Sequence, residues 1–299
     1  MLEPSSQRWN VQRMNPALRP AAVLTCMVLP ACQPAPVPVP TEKTAVIRES
    51  IAPGLHEYEN DAPSLRTLFR GDVVLIGKRW PTLRWQGLLE GSVEQREGAM
   101  LDIKVNEADS LRWVFAESVH DDVDVPTVAW LCEQMGNPSP DGLPCTSVLR
   151  RAVTTDGAVV AYATCSQVGC PIALVRDGRV RKTAVDGLSS FRLIESGSRT
   201  YALARNRWVK APDLTGSSAI VFQISPVFCR LAEITVEEID ARSPDMVSTQ
   251  LGEVRVSGSV IAYRGTRTSI SRETGAPMSK PISLSHDFWL SPDGQFVGR

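Results

Sequence analysis

The feature that most constrains this chain is a succession of short β-type runs from residue 72 onward, with no long amphipathic helix between them. Runs fall at 72–77, 100–105, 111–115, 127–132, 157–164, 172–176, 199–204, 219–224, 231–239 and 254–263. Several alternate apolar and polar residues, the pattern of half-buried antiparallel strands. Turn chemistry separates them. Arg176-Asp-Gly-Arg179 reads as a type I′ hairpin turn, because Asp-Gly tolerates the two positive φ angles required. Thr155-Asp-Gly and Pro292-Asp-Gly give similar signals. The fold expected is mainly β, built from antiparallel sheets in a sandwich-like or irregular propeller-like arrangement, with few short helices. One helix is expected near Pro63, in the segment 61–69. A Tyr-Ala pair recurs at Tyr162 and Tyr201, an offset that suits a repeated four-strand unit. The polar stretch 265–280 reads as a long loop, and 286–297 as a closing hairpin.

The N-terminus has a different texture. A segment with Arg19 precedes an apolar run of about eleven residues, the length of a signal-peptide core and half what a bilayer span needs. The run ends in Leu29-Pro30-Ala31-Cys32, which resembles the lipobox of bacterial lipoproteins, departing from it only at Pro30. The resemblance implies that Cys32 receives a diacylglycerol, that residues 1–31 are removed, and that the new amino group is acylated. Met14 begins a typical signal, so 1–13 read as an upstream start. Several acyl chains anchor a protein stably where one does not. Gln33 after the cysteine implies an outer-membrane lipoprotein facing the periplasm or the cell surface. Alternating prolines at 34–40 favour polyproline II, at about 3.1 Å per residue, and read as a semi-rigid tether. The expected organisation is a signal at 1–31, lipidated cysteine and tether at 32–46, a β-rich domain at 47–264, and a loop with closing hairpin at 265–299.

The chain has seven cysteines, five of them downstream of Cys32. In an oxidising compartment these are expected to pair. Turn-rich intervening loops favour Cys132 with Cys145 and Cys165 with Cys170. Cys229, on an apolar run, reads as a buried thiol, or as the residue that displaces one of those bridges. The spacings do not match zinc sites, and no histidine lies near them.

Composition excludes one partner class: 32 basic against 33 acidic residues give a formal charge of −1, with no basic surplus for nucleic acid. Signatures of common enzyme classes are missing from the sequence, which has no nucleophile elbow, zinc-protease motif or phosphate-cradling glycine loop. The three histidines, His56, His120 and His286, read as surface or hydrogen-bonded residues. His120, Asp121, Asp122 and Asp124 form an acidic run that lacks the glycine and closing glutamate of a calcium loop, and read as a solvated turn. No metal or cofactor is expected. Arg79, Trp80, Arg84 and Trp85 interleave basic and aromatic groups, as interface hot spots do. Met135 and Asn137, in the segment between Cys132 and Cys145, are the second candidate recognition surface. These features together predict a non-catalytic, protein-binding lipoprotein held to a membrane by its lipid. Its organisation resembles that of immunity lipoproteins that capture an envelope-attacking toxin. The alternatives are a scaffold or assembly lipoprotein of the outer membrane and an envelope hydrolase.

Overall fold

The computed structural model describes residues 38–49, 54–55, 68–89, 92–106, 111–136, 142–166, 168–290 and 296–298. Among them, antiparallel sheets dominate, and no helix is long and apolar enough to cross a membrane. The first sheet holds β1 (Thr41–Ile47), β2 (Gly54–Leu55), β3 (Val73–Leu89), β4 (Ser92–Lys104), β5 (Arg112–Phe115) and β6 (Val119–Pro126), in the order β2-β5-β4-β3-β1-β6. Two short helices follow, α1 (Val128–Gln134) and α2 (Cys145–Val148). The second sheet is a meander of β7 (Leu149–Val153), β8 (Val159–Ala163), β9 (Cys170–Arg176) and β10 (Arg179–Val185). The third is a longer meander: β11 (Leu188–Ser196), β12 (Arg199–Ala211), β13 (Leu214–Ser225), β14 (Cys229–Asp240), β15 (Met246–Ser257), β16 (Val260–Ser271), β17 (Ile282–Leu290) and β18 (Phe296–Gly298).

The sheets stack face to face, and successive side chains of one strand enter opposite cores. In β8, Val159, Ala161 and Ala163 face β1, β6 and the helices, while Val160 and Tyr162 face the third sheet. In β12, Ala202 and Ala204 pack back onto the second sheet, while Tyr201 and Leu203 face β15 and β16. Strands buried on both faces lose strict polar alternation and read as continuous apolar runs. The Tyr-Ala pairs therefore have a structural meaning. Tyr162 and Tyr201 lie on the second strands of consecutive meanders, Tyr162 pointing toward the third sheet and Tyr201 toward β15 and β16 of its own sheet. The third sheet doubles back on itself. β14 and β15 pair over only four positions, from Glu237↔Leu251 to Asp240↔Ser248. The β15–β16 turn then reaches β11 and β12, where Tyr201 Oη donates to the Gly258 carbonyl (3.0 Å).

Three expectations are corrected. Residues 127–132 form no strand: Thr127 caps α1, its hydroxyl accepting from Trp130 N–H. Val128, Leu131, Cys132 and Met135 pack into the core below, at the i, i+3, i+4, i+7 spacing of a helix. The run 254–263 is two strands, divided at Gly258, whose φ is +58°. The polar stretch from 265 is largely strand, because β16 continues to Ser271 against β15, and only the part after it is loop. The Asp-Gly turn has the expected geometry, with φ of +50° at Asp177 and +70° at Gly178. The closing hairpin pairs β17 with β18. The signal and lipobox with Cys32, most of the helix expected at 61–69, and the Pro292 turn lie outside the described residues.

Cys132 is bonded to Cys145 and Cys165 to Cys170. The first bridge ties α1 to α2 within the core they share with β1, β6 and β8. Cys229 is half-buried at the start of β14 rather than the buried thiol expected there. In the full chain it is disulfide-bonded to a partner outside the described residues, so maturation at Cys32 of the kind the lipobox resemblance implies would leave it reduced.

Candidate functional site

A cavity of about 590 Å³ opens where the three sheets meet. Its floor is apolar, from Val46 of β1, Val123 of β6 and Val153 of β7, and its rim is polar, with Arg48, Arg70, His120, Thr155 and Glu195. None of the five rim groups is adjacent to another in sequence, so the fold alone assembles them.

The acidic run explains how His120 arrives there. Opposite the single residue Ala45, β6 carries both Asp121 and Asp122, a β-bulge. Asp122 takes the left-handed conformation, φ +59°, which aspartate tolerates better than most residues. The extra residue reverses the strand's alternation. Val119 enters the outer core with Ile47, yet Val123 and Val125 enter the inner one with Val46. His120, paired with Val46, is left on the cavity side. Two of the three carboxylates of the run have cationic partners, Lys43 on Asp124 (2.9 Å) and Arg79 on Asp121 (2.7 Å).

Gly71 closes another wall. Its φ is +91°, and a Cβ there would lie 2.5 Å from the Val153 carbonyl, so only glycine lets the 69–72 turn meet β7. The contact is direct: Val153 N–H donates to the Gly71 carbonyl (2.7 Å). Beside it, Asp72 is buried, accepts from Phe69 N–H (2.9 Å), and has a carboxyl pushed up to about 7, chiefly by loss of water.

The rim groups are partly engaged. Arg48 lies 3.0 Å from His120 Nδ1; since guanidinium only donates, Nδ1 is the acceptor and Nε2 carries the hydrogen. Glu195 accepts from Thr155 N–H (2.9 Å) and faces Arg70 at a loose 3.5 Å. The cavity thus presents two guanidiniums and an imidazole N–H against one carboxylate. That is an arrangement for holding an acceptor-rich group.

The residues chosen from sequence do not converge here. Arg79 is engaged with Asp121, and Trp80 Nε1–H donates to Asp102 (2.9 Å) with Lys78 Nζ 3.8 Å from its ring centre. Arg84 and Trp85 lie in β3 opposite Glu97 and Arg96, their side chains outside the described part. Met135, half-buried, packs against the core beneath α1, and Asn137 lies outside the described residues. His286 stacks on Tyr263, ring centres 6.2 Å apart. Among the described residues no cluster of histidine, cysteine and carboxylate could hold a metal. Sequence reasoning missed Arg48, Arg70, Thr155 and Glu195; no local pattern marks them, because each comes from a different turn or strand end.

No family model matches the chain, and neither a curated protein nor a solved structure does.

Proposed function

We propose that this chain is an envelope lipoprotein, anchored through Cys32, whose β domain works by binding a protein and not by catalysis. The narrower form of the reading is an immunity protein that blocks an envelope-targeting toxin, and its competitor is a scaffold lipoprotein of the outer membrane. The observation that carries the anchor is the apolar run ending in Leu29-Pro30-Ala31-Cys32, followed at once by alternating prolines up to Pro40. The first strand begins at Thr41, so a tether of this kind would deliver the chain directly into the fold. Two disulfides in the folded part agree with an oxidising compartment.

Mass spectrometry of the native N-terminus tests the anchor. Expected is a mature chain starting at acylated Cys32, and a Cys32→Ser variant that is no longer retained in the membrane fraction. An intact, unacylated N-terminus ahead of residue 32 defeats it. The binding role is tested by capture from the native envelope followed by an activity assay. Recovery of one stoichiometric lipase, nuclease or peptidoglycan hydrolase, inhibited by the purified protein, is the immunity outcome.

A hydrolase reading is favoured by one observation, that His120 and Glu195 line the same cavity. Against it, Nδ1 of His120 is occupied by a cation and Glu195 is held by Thr155 and Arg70. A general base needs an acceptor free to take a proton from a nucleophile.

A further inference from the structure

We infer that the cavity at the junction of the three sheets is a binding site for a small oxyanion-bearing ligand, a carboxylate or phosphate group carried on a short apolar body. The inference is independent of whether Cys32 is acylated.

Three features of the cavity lead there. First, its donors exceed its acceptors. Arg48 and Arg70 bring two guanidiniums and His120 an Nε2–H, against the single carboxylate of Glu195. Arg48 hydrogen-bonds a neutral acceptor, and among the described residues no carboxylate lies within ion-pair distance of it. Guanidinium is the side chain best matched to two oxygens of one carboxylate or phosphate. Second, the floor is not polar. Val46, Val123 and Val153 suit a short hydrocarbon portion of a ligand and no hydrated ion. A volume of about 590 Å³ falls within the range of small-molecule sites. Third, the cavity is built from elements fixed elsewhere. The bulge at Asp122 sets His120, and Gly71 brings Arg70 alongside β7. Arg70 and Glu195 face each other across the rim at 3.5 Å, a separation that leaves the guanidinium able to turn to a better acceptor. Glu195, fixed by Thr155 N–H, is then the acceptor for a donor group on the same ligand.

The chain has only three histidines, so selective ¹³Cε1-histidine labelling of the full protein in detergent gives a readable spectrum. Sodium butyrate and inorganic phosphate are titrated at fixed pH, with sodium chloride at matched ionic strength as control. Expected is a saturable shift of the His120 signal by butyrate, phosphate or both, with a dissociation constant of about 1 mM or tighter. Response to butyrate alone identifies a carboxylate with an apolar body, and response to phosphate alone a phosphoryl group. Arg48→Met and Arg70→Met should each weaken the shift at least tenfold, while Arg255→Met, at a solvent-exposed pair with Glu253, leaves it unchanged. The unaltered signals of the other two histidines report that these variants fold. A flat titration, a shift reproduced by chloride, or a shift that survives both cavity substitutions overturns the inference.

Discussion

Arg151 and Glu42, 109 positions apart, join the second sheet to the first through a hydrogen-bonded ion pair. The arginine side chain is only 4% exposed and also donates to the Pro126 carbonyl (2.9 Å), the residue that ends β6. Glu42 is 37% exposed. Burial lowers the arginine's affinity for its proton, and the glutamate works in the opposite direction. Removing one member of such a pair costs more than the pair is worth, because a buried charge is left without its counter-charge. Glu42→Leu should therefore lower stability by about 2–3 kcal/mol, less than a fully buried pair would because Glu42 is partly wet. Glu42→Leu/Arg151→Leu should cost less than the sum of the two single changes. Urea unfolding of the disulfide-intact protein measures all three, and strict additivity would show that the pair is not coupled.

Asp72 predicts a pH dependence of known sign. Its carboxyl is raised from 3.8 to about 7 in the folded chain. At pH below about 4 both states are protonated and the burial costs nothing. As pH rises to about 7 the unfolded chain ionises while the folded one resists, so stability falls across that window and levels off above it. The loss is at most about 4 kcal/mol. Asp72→Asn keeps an acceptor for Phe69 N–H and cannot ionise. The variant should melt higher than the parent at pH 8, with the gap closing toward pH 4. Thermal melts of both proteins across that range decide it, and a gap that does not change with pH would mean that Asp72 is ionised in the fold.

Much of the fold could be read from sequence because burial on sheets writes a short-range signal. The Asp177-Gly178 turn and the closing hairpin each follow from a few neighbouring residues. The failures have physical causes too. Segment 127–132 is apolar enough for either a strand or a helix, and only the spacing of Val128, Leu131, Cys132 and Met135 distinguishes them. The 266–271 stretch is polar because both faces of β16 are partly wet there, and polarity alone mimics a loop. The cavity was illegible for a different reason. Its polar groups come from the residue after β1, the 69–72 turn, β6, the β7–β8 turn and β11, and no sequence window holds more than one or two of them.

A third prediction concerns an aromatic ring lying flat on a sheet. Gly252 and Gly265 are paired across β15 and β16, and the Tyr263 ring covers both. A Cβ at Gly252 would sit 2.4 Å from the Tyr263 hydroxyl, which Gln250 Nε2–H reaches at 3.1 Å. The ring would have to leave, breaking that hydrogen bond and opening the core shared with Val254 and Ile261. Gly252→Ala should cost about 1–3 kcal/mol, the usual range for overpacking. In a Tyr263→Leu background the same change should cost much less, since no ring then lies over the glycine. Equal penalties in the two backgrounds, read by denaturant unfolding, would show that the ring is not what excludes the methyl.

The two disulfides link the fold to its proposed compartment. In the chain-entropy treatment the stabilisation grows with the loop closed. Cys132–Cys145, separated by 13 positions, is then worth about 3 kcal/mol, and Cys165–Cys170, separated by 5, about 2. Their sum is comparable to the whole stability of many domains. Both bridges lie in cores, the first with Leu131 and Leu149, the second with Leu188 and Phe222, so loss of either also leaves small voids. Cys132→Ala/Cys145→Ala should destabilise more than Cys165→Ala/Cys170→Ala, by about 1 kcal/mol, and would release α1 from α2. Protein produced from residue 33 onward in a reducing cytoplasm should accordingly melt well below the same protein with its bridges formed, and should recover on oxidation. Differential scanning calorimetry with and without reductant makes the comparison directly. Identical melting curves would remove the stability argument for an oxidising compartment and leave the envelope assignment resting on residues 14–32 alone.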